Sequence, residues 1–553
     1  MQRSPMKKLI LAAMLAALPA AAQAGPPPAR PKLIVAISVD QFSAELFARY
    51  RPTYRKGLRT LWRGIAYPVG YQSHGGTETC PGHSVILTGR YPAGTGIVAN
   101  AWYDAAGNDT YCVSVPGQSD PKARGPQNMR VTTLGDWIKT AEPGARTFAV
   151  SAKDRAAITM AGKHADGVYW WEDGTGFTTS PSAGPATPAV TGPAGAFNAA
   201  LFAQWRAAPP TLWPRPSKRC AALQKPYVFG EMPITGRVPP EMAAGATDGA
   251  DFLQSRHFQD IVRVSPTMDG LTADFAIDLI RRERLGHGPA TDVLAVSFSG
   301  TDYVGHRLGN GGAEMCVQQE AVDRAIGRLL KAVRAQRVPV MVMLTADHGG
   351  TDAAERQHDH DGQAARVDRT AFAKRLDADL RQQLGIDFDP FLGNDPEQLY
   401  IDPRADKALE ARIRAAAIAW LRQQPEVREV HDSGEIAATV IAPGTPPDRL
   451  TNLQRLKLSY DSERSPDIVA VFAERSSFGI PRKTGDYVAG HGSVWNHDRQ
   501  VPILFWWPGV KRQDRAAPAQ VVDIAPTLAA IAGIAPPVPV DGQCLDLGGN
   551  CPK

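Results

Sequence analysis

Asp40 closes an apolar run of strand length, Lys32 to Val39 (KLIVAISV). Two similar runs, Leu294 to Phe298 and Val338 to Leu344, end shortly before Asp302 and before Asp347-His348. In open parallel α/β sheets, ligands gather outside the carboxyl ends of the strands. Three strand ends would therefore deliver Asp40, Asp302 with His306, and Asp347 with His348 to one edge. Asp302 and His306 are four residues apart, one helical turn, so both can face one ion. Carboxylate oxygens and imidazole nitrogens suit zinc, and two clusters suggest two ions. Singly these residues say little, because an Asp after a strand is more often a turn or cap. Their joint placement carries the reading.

A candidate nucleophile lies in Thr77-Glu78-Thr79-Cys80-Pro81-Gly82-His83-Ser84. Pro81 just before Val85, Ile86 and Leu87 marks a helix N-terminus, with Thr79 at or just before the cap. By local sequence alone Thr79 is a capping threonine. Beside a metal, its hydroxyl would lie where amide dipoles favour anions and where its pKa falls. Cys80 is a rival nucleophile, although a free thiol in an exported protein tends to oxidise.

The elements that must position these residues read as α/β. Ala313 to Arg334 has apolar residues at helical spacing (Ala321, Ile326, Leu329, Leu330, Val333) and lies between two of the strand runs. Strand, helix, strand predicts a right-handed crossover in a parallel sheet. A fourth strand of the same form, Val501 to Trp507, follows His491 by a few residues, and Val521 to Ala532 reads as a closing helix. The fold class is a mostly parallel sheet flanked by helices, with inserted cap regions near 160–265 and 360–485. The first insertion holds Tyr169-Trp170-Trp171-Glu172-Asp173-Gly174, a hairpin with an Asp-Gly turn. The second mixes helices (Phe372 to Gln383, Lys407 to Gln423) with short strands (Glu397 to Ile401, Asp467 to Phe472).

Composition narrows the class. The chain has 553 residues, 43% hydrophobic and 21% charged, which excludes wholesale disorder. Arg3, Lys7 and Lys8, then an apolar Leu9 to Ala20 and an Ala22-Gln23-Ala24 site, form an export signal at 1–24, cut after Ala24. Its apolar run is shorter than the roughly 20 residues of a membrane span. The remainder, 25–553, is read as one catalytic domain, periplasmic or secreted, with no membrane span. Loss of the leader's three cations takes the net charge from +5 to +2, too balanced for a nucleic-acid partner. Six cysteines suggest disulfides in an oxidising compartment, and Cys544 and Cys551 are close enough to staple the tail. Oligomeric state is left open, a monomer being compatible with the sequence.

With these motifs in view, the chain resembles the alkaline phosphatase superfamily, and more narrowly its exported bacterial threonine-nucleophile phosphatases. These are relatives of the nucleotide pyrophosphatase/phosphodiesterases. The resemblance runs from Leu33 to about Gly533. Its pieces are Val39-Asp40, Thr79-Cys80-Pro81-Gly82-His83, Asn100-Ala101-Trp102-Tyr103-Asp104, Lys153-Asp154-Arg155, Asp302-Tyr303-Val304-Gly305-His306, Asp347-His348-Gly349 and His491-Gly492-Ser493. It implies two zinc ions per chain. One would be held by Asp40, Asp347, His348 and the Thr79 oxygen, the other by Asp302, His306 and His491. It implies small phosphate monoesters as substrates, broad specificity, and a phosphothreonine at Thr79 that water then hydrolyses. Asn100, Lys153 and Arg155 would bind the phosphoryl oxygens. Lys supplies a point charge and Arg a planar fork, both matched to a dianion. The alternative is a phosphodiesterase or nucleotide pyrophosphatase on the same scaffold. A sulfatase lacks support, since no Cys/Ser-x-Pro-x-Arg follows from Cys80-Pro81. A zinc- or phosphate-binding protein without catalysis is opposed by Thr79, Lys153 and Arg155.

Other residues are set aside. His358-Asp359-His360-Asp361 reads as a solvated loop. His83 is expected to orient the Thr79 loop by a hydrogen bond, and His74 and His497 to support ligands from behind. Trp170, Trp171, Trp506 and Trp507 are read as packing, and Asp523 and Thr527 as a helix start and cap.

Overall fold

The computed structural model describes residues 29–183, 192–359 and 364–552. The leader read at 1–24 and the His360-Asp361 pair lie outside them. The central sheet comprises β1 (Leu33–Val39), β2 (Ile65–Tyr71), β3 (Thr147–Ser151), β4 (Gly167–Glu172), β5 (Gly176–Thr178), β6 (Asp292–Phe298), β7 (Val340–Thr345), β8 (Gln500–Trp506), β9 (Gln513–Asp514) and β10 (Ala519–Gln520). Its order is β9-β2-β8-β7-β1-β6-β3-β4-β5, with β10 also on β2. The five strands β7-β1-β6-β3-β4 run parallel. β1, β6 and β7 are buried along their whole length. That is why they read as continuous apolar runs without alternation.

The helices that matter here are α1 (Thr79–Ile86), α2 (Asp154–Ala161), α3 (Gly300–Leu308) and α4 (Ala313–Ala335). α4 joins β6 to β7 and crosses over β1 as it does so. Its buried residues include Ala325, Ile326, Leu329, Leu330 and Val333, the stripe expected of a helix with one face on a sheet. The expected hairpin forms β4 and β5, turning through Asp173, Gly174 and Thr175. Gly174 adopts φ +74, which costs glycine little.

One expectation needs correction. β8 is antiparallel to β7 and to β2, not a further parallel strand. Its apolar run signals burial on both faces, which both directions satisfy. The reversal matters for the site. An antiparallel β8 begins at the edge where β1, β6 and β7 end, so His491, a few residues before it, reaches that edge.

A second body of structure lies over the same edge. A four-stranded sheet contains Phe391–Leu392, Gln398–Ile401, Ile468–Phe472 and Val427–Asp432, in that order. Helices α5 (Arg369–Leu384) and α6 (Lys407–Leu421) pack on it around an apolar cluster including Phe372, Leu376, Ile413, Ile468 and Phe472. All six cysteines are paired, as Cys80–Cys112, Cys220–Cys316 and Cys544–Cys551. Among the described residues no helix is long and apolar enough to cross a membrane.

Candidate active site

Parallel pairing aligns Val39 with Phe298 and Ser38 with Thr345, so β1, β6 and β7 finish side by side. Asp40 follows β1 directly, Asp302 lies in the first turn of α3, and Asp347 follows β7 by two residues. Two groups of ligand atoms gather there: Asp40 with Asp347 and His348, and Asp302 with His306 and His491. In the first, His348 Nε2 lies 3.5 Å from Asp40 Oδ1 and 3.3 Å from Asp347 Oδ2. In the second, Asp302 Oδ1 lies 3.2 Å from His306 Nε2 and 3.4 Å from His491 Nε2. The groups adjoin: the His348 and His491 rings stack at 3.6 Å and 19°.

The histidines are oriented as metal ligands are. Each places Nδ1 on a backbone carbonyl: His306 on Ala489, His491 on Thr77, His348 on Gly349, at 2.8–2.9 Å. A carbonyl only accepts, so each Nδ1 carries the proton and each Nε2 turns a lone pair inward. Oδ1 of Asp40 and Nε2 of His348 are buried with no hydrogen-bond partner. Unpartnered buried acceptors are costly, and converging ones fit a cation. The donor set suits a zinc-type ion in both groups.

Charge points the same way. Burial, with the neighbouring carboxylates of Asp302 and Asp347, pushes Asp40 well above the ordinary carboxylate range. Burial would raise Asp302 too, but the Lys153 ammonium holds it well below. Burial pushes His348 down to about 3, leaving it the neutral imidazole a metal needs.

Thr79 is the first residue of α1, with Glu78 as N-cap. Thr79 is buried, and its Oγ1 lies 3.3 Å from Lys153 Nζ. His83 holds this turn as expected. Its Nδ1 is 2.9 Å from the Thr79 carbonyl and 3.0 Å from Asp347 Oδ2, and Ser297 Oγ meets Nε2 at 2.8 Å. Gly82 is required here, because an added Cβ would stand 2.0 Å from the Asp347 carbonyl oxygen. Cys80 is not a rival nucleophile: its sulfur is bonded to Cys112. That bridge joins α1 to the chain after Asn100 and explains a cysteine beside the hydroxyl. Asn100 Oδ1 accepts from Cys80 N at 2.9 Å, and its carbonyl accepts from Cys112 N at 2.9 Å. A backbone N–H only donates, so the amide Nδ2 is the end left free to donate.

Lys153 follows β3, a fourth strand end not singled out from sequence. Its Nζ lies 2.7 Å from Asp40 Oδ2 and 2.5 Å from Asp302 Oδ2, bridging the two groups. Asp302 and Asp40 raise its pKa despite burial, so it stays an ammonium. Arg155, in the first turn of α2, is 3.4 Å from the Tyr111 hydroxyl, and its Nε is buried without a partner.

Sequence reasoning missed several supports. Gln41 donates from its backbone to Asp347 Oδ1 at 3.2 Å and from Nε2 to Asp302 Oδ1 at 3.3 Å, touching both groups. It does so at φ +64, an uncommon conformation for a residue with a side chain. Glu78 accepts from Asn100 N at 2.7 Å and from Gln398 Nε2 at 2.9 Å, stitching the overlying sheet to the Thr79 turn. Asp498 Oδ2 accepts from Gly492 N, Ser493 N and Ser493 Oγ at 3.2, 2.9 and 2.6 Å, and its carbonyl accepts from Gly349 N at 2.6 Å. It thereby clasps the His491 and His348 loops together. Asp498→Ala is expected to weaken metal binding about 10- to 100-fold, measured by competition with a chromogenic chelator, with circular dichroism unchanged. None of the three has a local motif, and folding brings their distant partners Asp302, Asp347, Gln398 and Gly349 near.

Asp269 anchors α3 from behind, accepting from Gly300 N at 2.8 Å and Gln318 Nε2 at 2.6 Å. Burial pushes it up to about 6 from 3.8. The unfolded chain loses this proton near pH 4 and the folded chain keeps it to about 6. Across that window stability falls as pH rises, then levels. Asp269→Asn should flatten the fall, by no more than about 3 kcal/mol, in urea titrations at successive pH values.

Residues 34–495 match the family of type I phosphodiesterases and nucleotide pyrophosphatases. The chain belongs to that family. Within the family's range of relatives, it is 38% identical over 533 residues to alkaline phosphatase PhoK of Sphingomonas sp., covering 94% of this chain and 91% of that protein. It is 40% identical over 533 residues to alkaline phosphatase PhoD of Zymomonas mobilis, covering 93% and 88%. In fold it is similar to the wild-type alkaline phosphatase PafA structure, with a TM-score of 0.78 at 24% identity, covering 93% of this chain and 98% of that one. The family's fold thus accounts for the mostly parallel sheet described above.

Residues set aside from sequence lie as follows. Trp170, Trp171, Trp506 and Trp507 are buried in the main core. His74 Nε2 meets Gln72 Oε1 at 3.2 Å, and His497 lends its carbonyl to Gly350 N at 3.1 Å. Asp359 pairs with Lys225 at 2.6 Å. Asp523 is the N-cap of the helix Ile524–Ala532, and Thr527 Oγ1 donates to its carbonyl at 2.6 Å. Cys220 and Cys316 lie near Glu320, but their sulfurs are bonded to each other and offer no thiolate.

Proposed function

We propose that this chain is a two-zinc alkaline phosphatase that hydrolyses phosphate monoesters through a phosphothreonine at Thr79. One observation carries the reading. The Thr79 hydroxyl, buried at a helix N-terminus, lies 3.3 Å from an ammonium that bridges the two ligand groups. The relatives at 38% and 40% identity named alkaline phosphatases support it.

Asp40, Asp347, His348 and Thr79 Oγ1 would hold one ion, and Asp302, His306 and His491 the other. Bound there, zinc supplies Lewis acidity for the attacking and leaving oxygens of an in-line displacement. The chain's own residues do the rest. Thr79 Oγ1, its proton lost to solvent, attacks phosphorus as the ester P–O bond breaks and the departing alkoxide takes a proton from water. Water then attacks the phosphothreonine, and as the P–Oγ1 bond breaks a proton returns to Thr79. Lys153 Nζ, beside Oγ1, favours the alkoxide. The α1 amide dipoles favour anionic oxygens at the same place. Asn100 Nδ2 and the Arg155 guanidinium donate to the phosphoryl oxygens, positioned before the charge develops. The three disulfides suit an exported protein, in keeping with the leader read at 1–24.

The family description also names diesterases, and substrate class separates the readings. A monoester dianion uses Lys153 and Arg155 fully, and a diester does not. The zinc-loaded protein should turn over p-nitrophenyl phosphate faster than bis-p-nitrophenyl phosphate; the reverse order overturns the monoesterase. Truncating Lys153 or Arg155 to alanine should lower monoester turnover about 10²- to 10³-fold and diester turnover far less.

A further inference from the structure

The cavity containing Thr79, Asn100 and Arg155 has a volume of about 470 Å³ and extends beneath the four-stranded sheet of the cap. A phosphoryl group of five heavy atoms, at no more than about 30 Å³ each, fills only a fraction of it. The remainder falls in the range of organic ligand sites.

The strand Ile468–Phe472 shows what the remainder is made of. Successive side chains leave opposite faces of a strand. Ile468, Ala470 and Phe472 join the apolar cluster under α5 and α6. Val469 and Val471 point the other way, into a separate apolar cluster with Ile436, Leu456, Val494 and Trp495. These six residues all line the cavity. The cavity also has a polar wall, but its charges are spoken for. Arg369 pairs with Asp395 and shares that wall with the carboxyl of Glu397. Arg475 on the same wall reaches Glu45, so among the described residues the arginines beneath the cap face carboxylates, and Arg155 stands at the phosphoryl end.

We propose that this apolar wall is a leaving-group subsite, which takes the aryl or branched alkyl body of a neutral alcohol while its phosphoryl group lies at Thr79. The assignment rests on the phosphomonoesterase reading and adds a substrate class to it. Burying such a body removes apolar surface from water, and one methylene in a fitted pocket already discriminates about 10-fold or more.

Phosphonates test this without bond cleavage. Binding of ethylphosphonate and 2-phenylethylphosphonate to the zinc-loaded protein is measured by calorimetry and by inhibition of p-nitrophenyl phosphate turnover. The phenylethyl compound should bind at least 10-fold more tightly. Val469→Asp should cut that ratio to about 3-fold or less while leaving ethylphosphonate affinity unchanged. Val469→Thr keeps shape and β-branching, so it guards against misfolding and should lower the ratio part of the way. Equal affinity of the two compounds for the native protein overturns the subsite, as does a ratio unmoved by both variants. Absence of turnover overturns the phosphatase reading instead, and calorimetry then still judges the subsite.

Discussion

Thr79→Ala is expected to reduce monoester turnover by a factor on the order of 10⁴ to 10⁶, the scale seen when a covalent nucleophile is removed. The fold should survive. The hydrogen bond that holds this turn uses the Thr79 carbonyl, not its hydroxyl, and the Cys80–Cys112 bridge is untouched. Metal should survive as well, since Asp40, Asp347 and His348 remain. The variant must also lose acid-stable labelling by a ³²P-monoester. Thr79→Ser keeps an oxygen in place and should recover most of the rate. Turnover of the alanine variant within 10-fold of the native protein, or continued labelling, would falsify the nucleophile.

Removal of metal should be as severe. Asp40, Asp302 and Asp347 share a buried region with the ammonium of Lys153, and His348 is held neutral. Exhaustive chelation should abolish turnover, and zinc should restore it. A ligand that binds only the folded chain at 1,000 times its Kd adds about 4 kcal/mol of stability, so the melting temperature should fall on chelation and recover with zinc. Metal content and activity, measured on the same samples, should rise together. Full activity at a metal content near zero contradicts the centre.

Much of this arrangement was legible in the chain because parallel strands announce themselves. Buried on both faces, β1, β6 and β7 carry no polar alternation, and the residues after them must share one edge. Asp40, Asp302, His306, Asp347 and His348 followed from that rule. The i, i+4 spacing of Asp302 and His306 needed only one helical turn. Strand direction was not legible. β8 reads like its neighbours, yet it is antiparallel, because burial depends on which faces are covered and not on which way the chain runs. β3 delivers Lys153 to the same edge, although its run, Thr147–Ser151, was not singled out from sequence.

The sequence by itself determined the chemistry on offer: carboxylates and imidazoles at strand ends, a hydroxyl at a helix start, cations nearby and cysteines to be paired. Tertiary structure alone decided who meets whom. It brought His491 onto His348 through a reversed strand, set Lys153 between two carboxylates, bonded Cys80 to Cys112, and recruited Gln41, Glu78 and Asp498. The physical reason is range. A residue's type and its near neighbours fix what it can donate, accept or bind. A distance of 3 Å between groups hundreds of positions apart is set by the packing of the whole sheet.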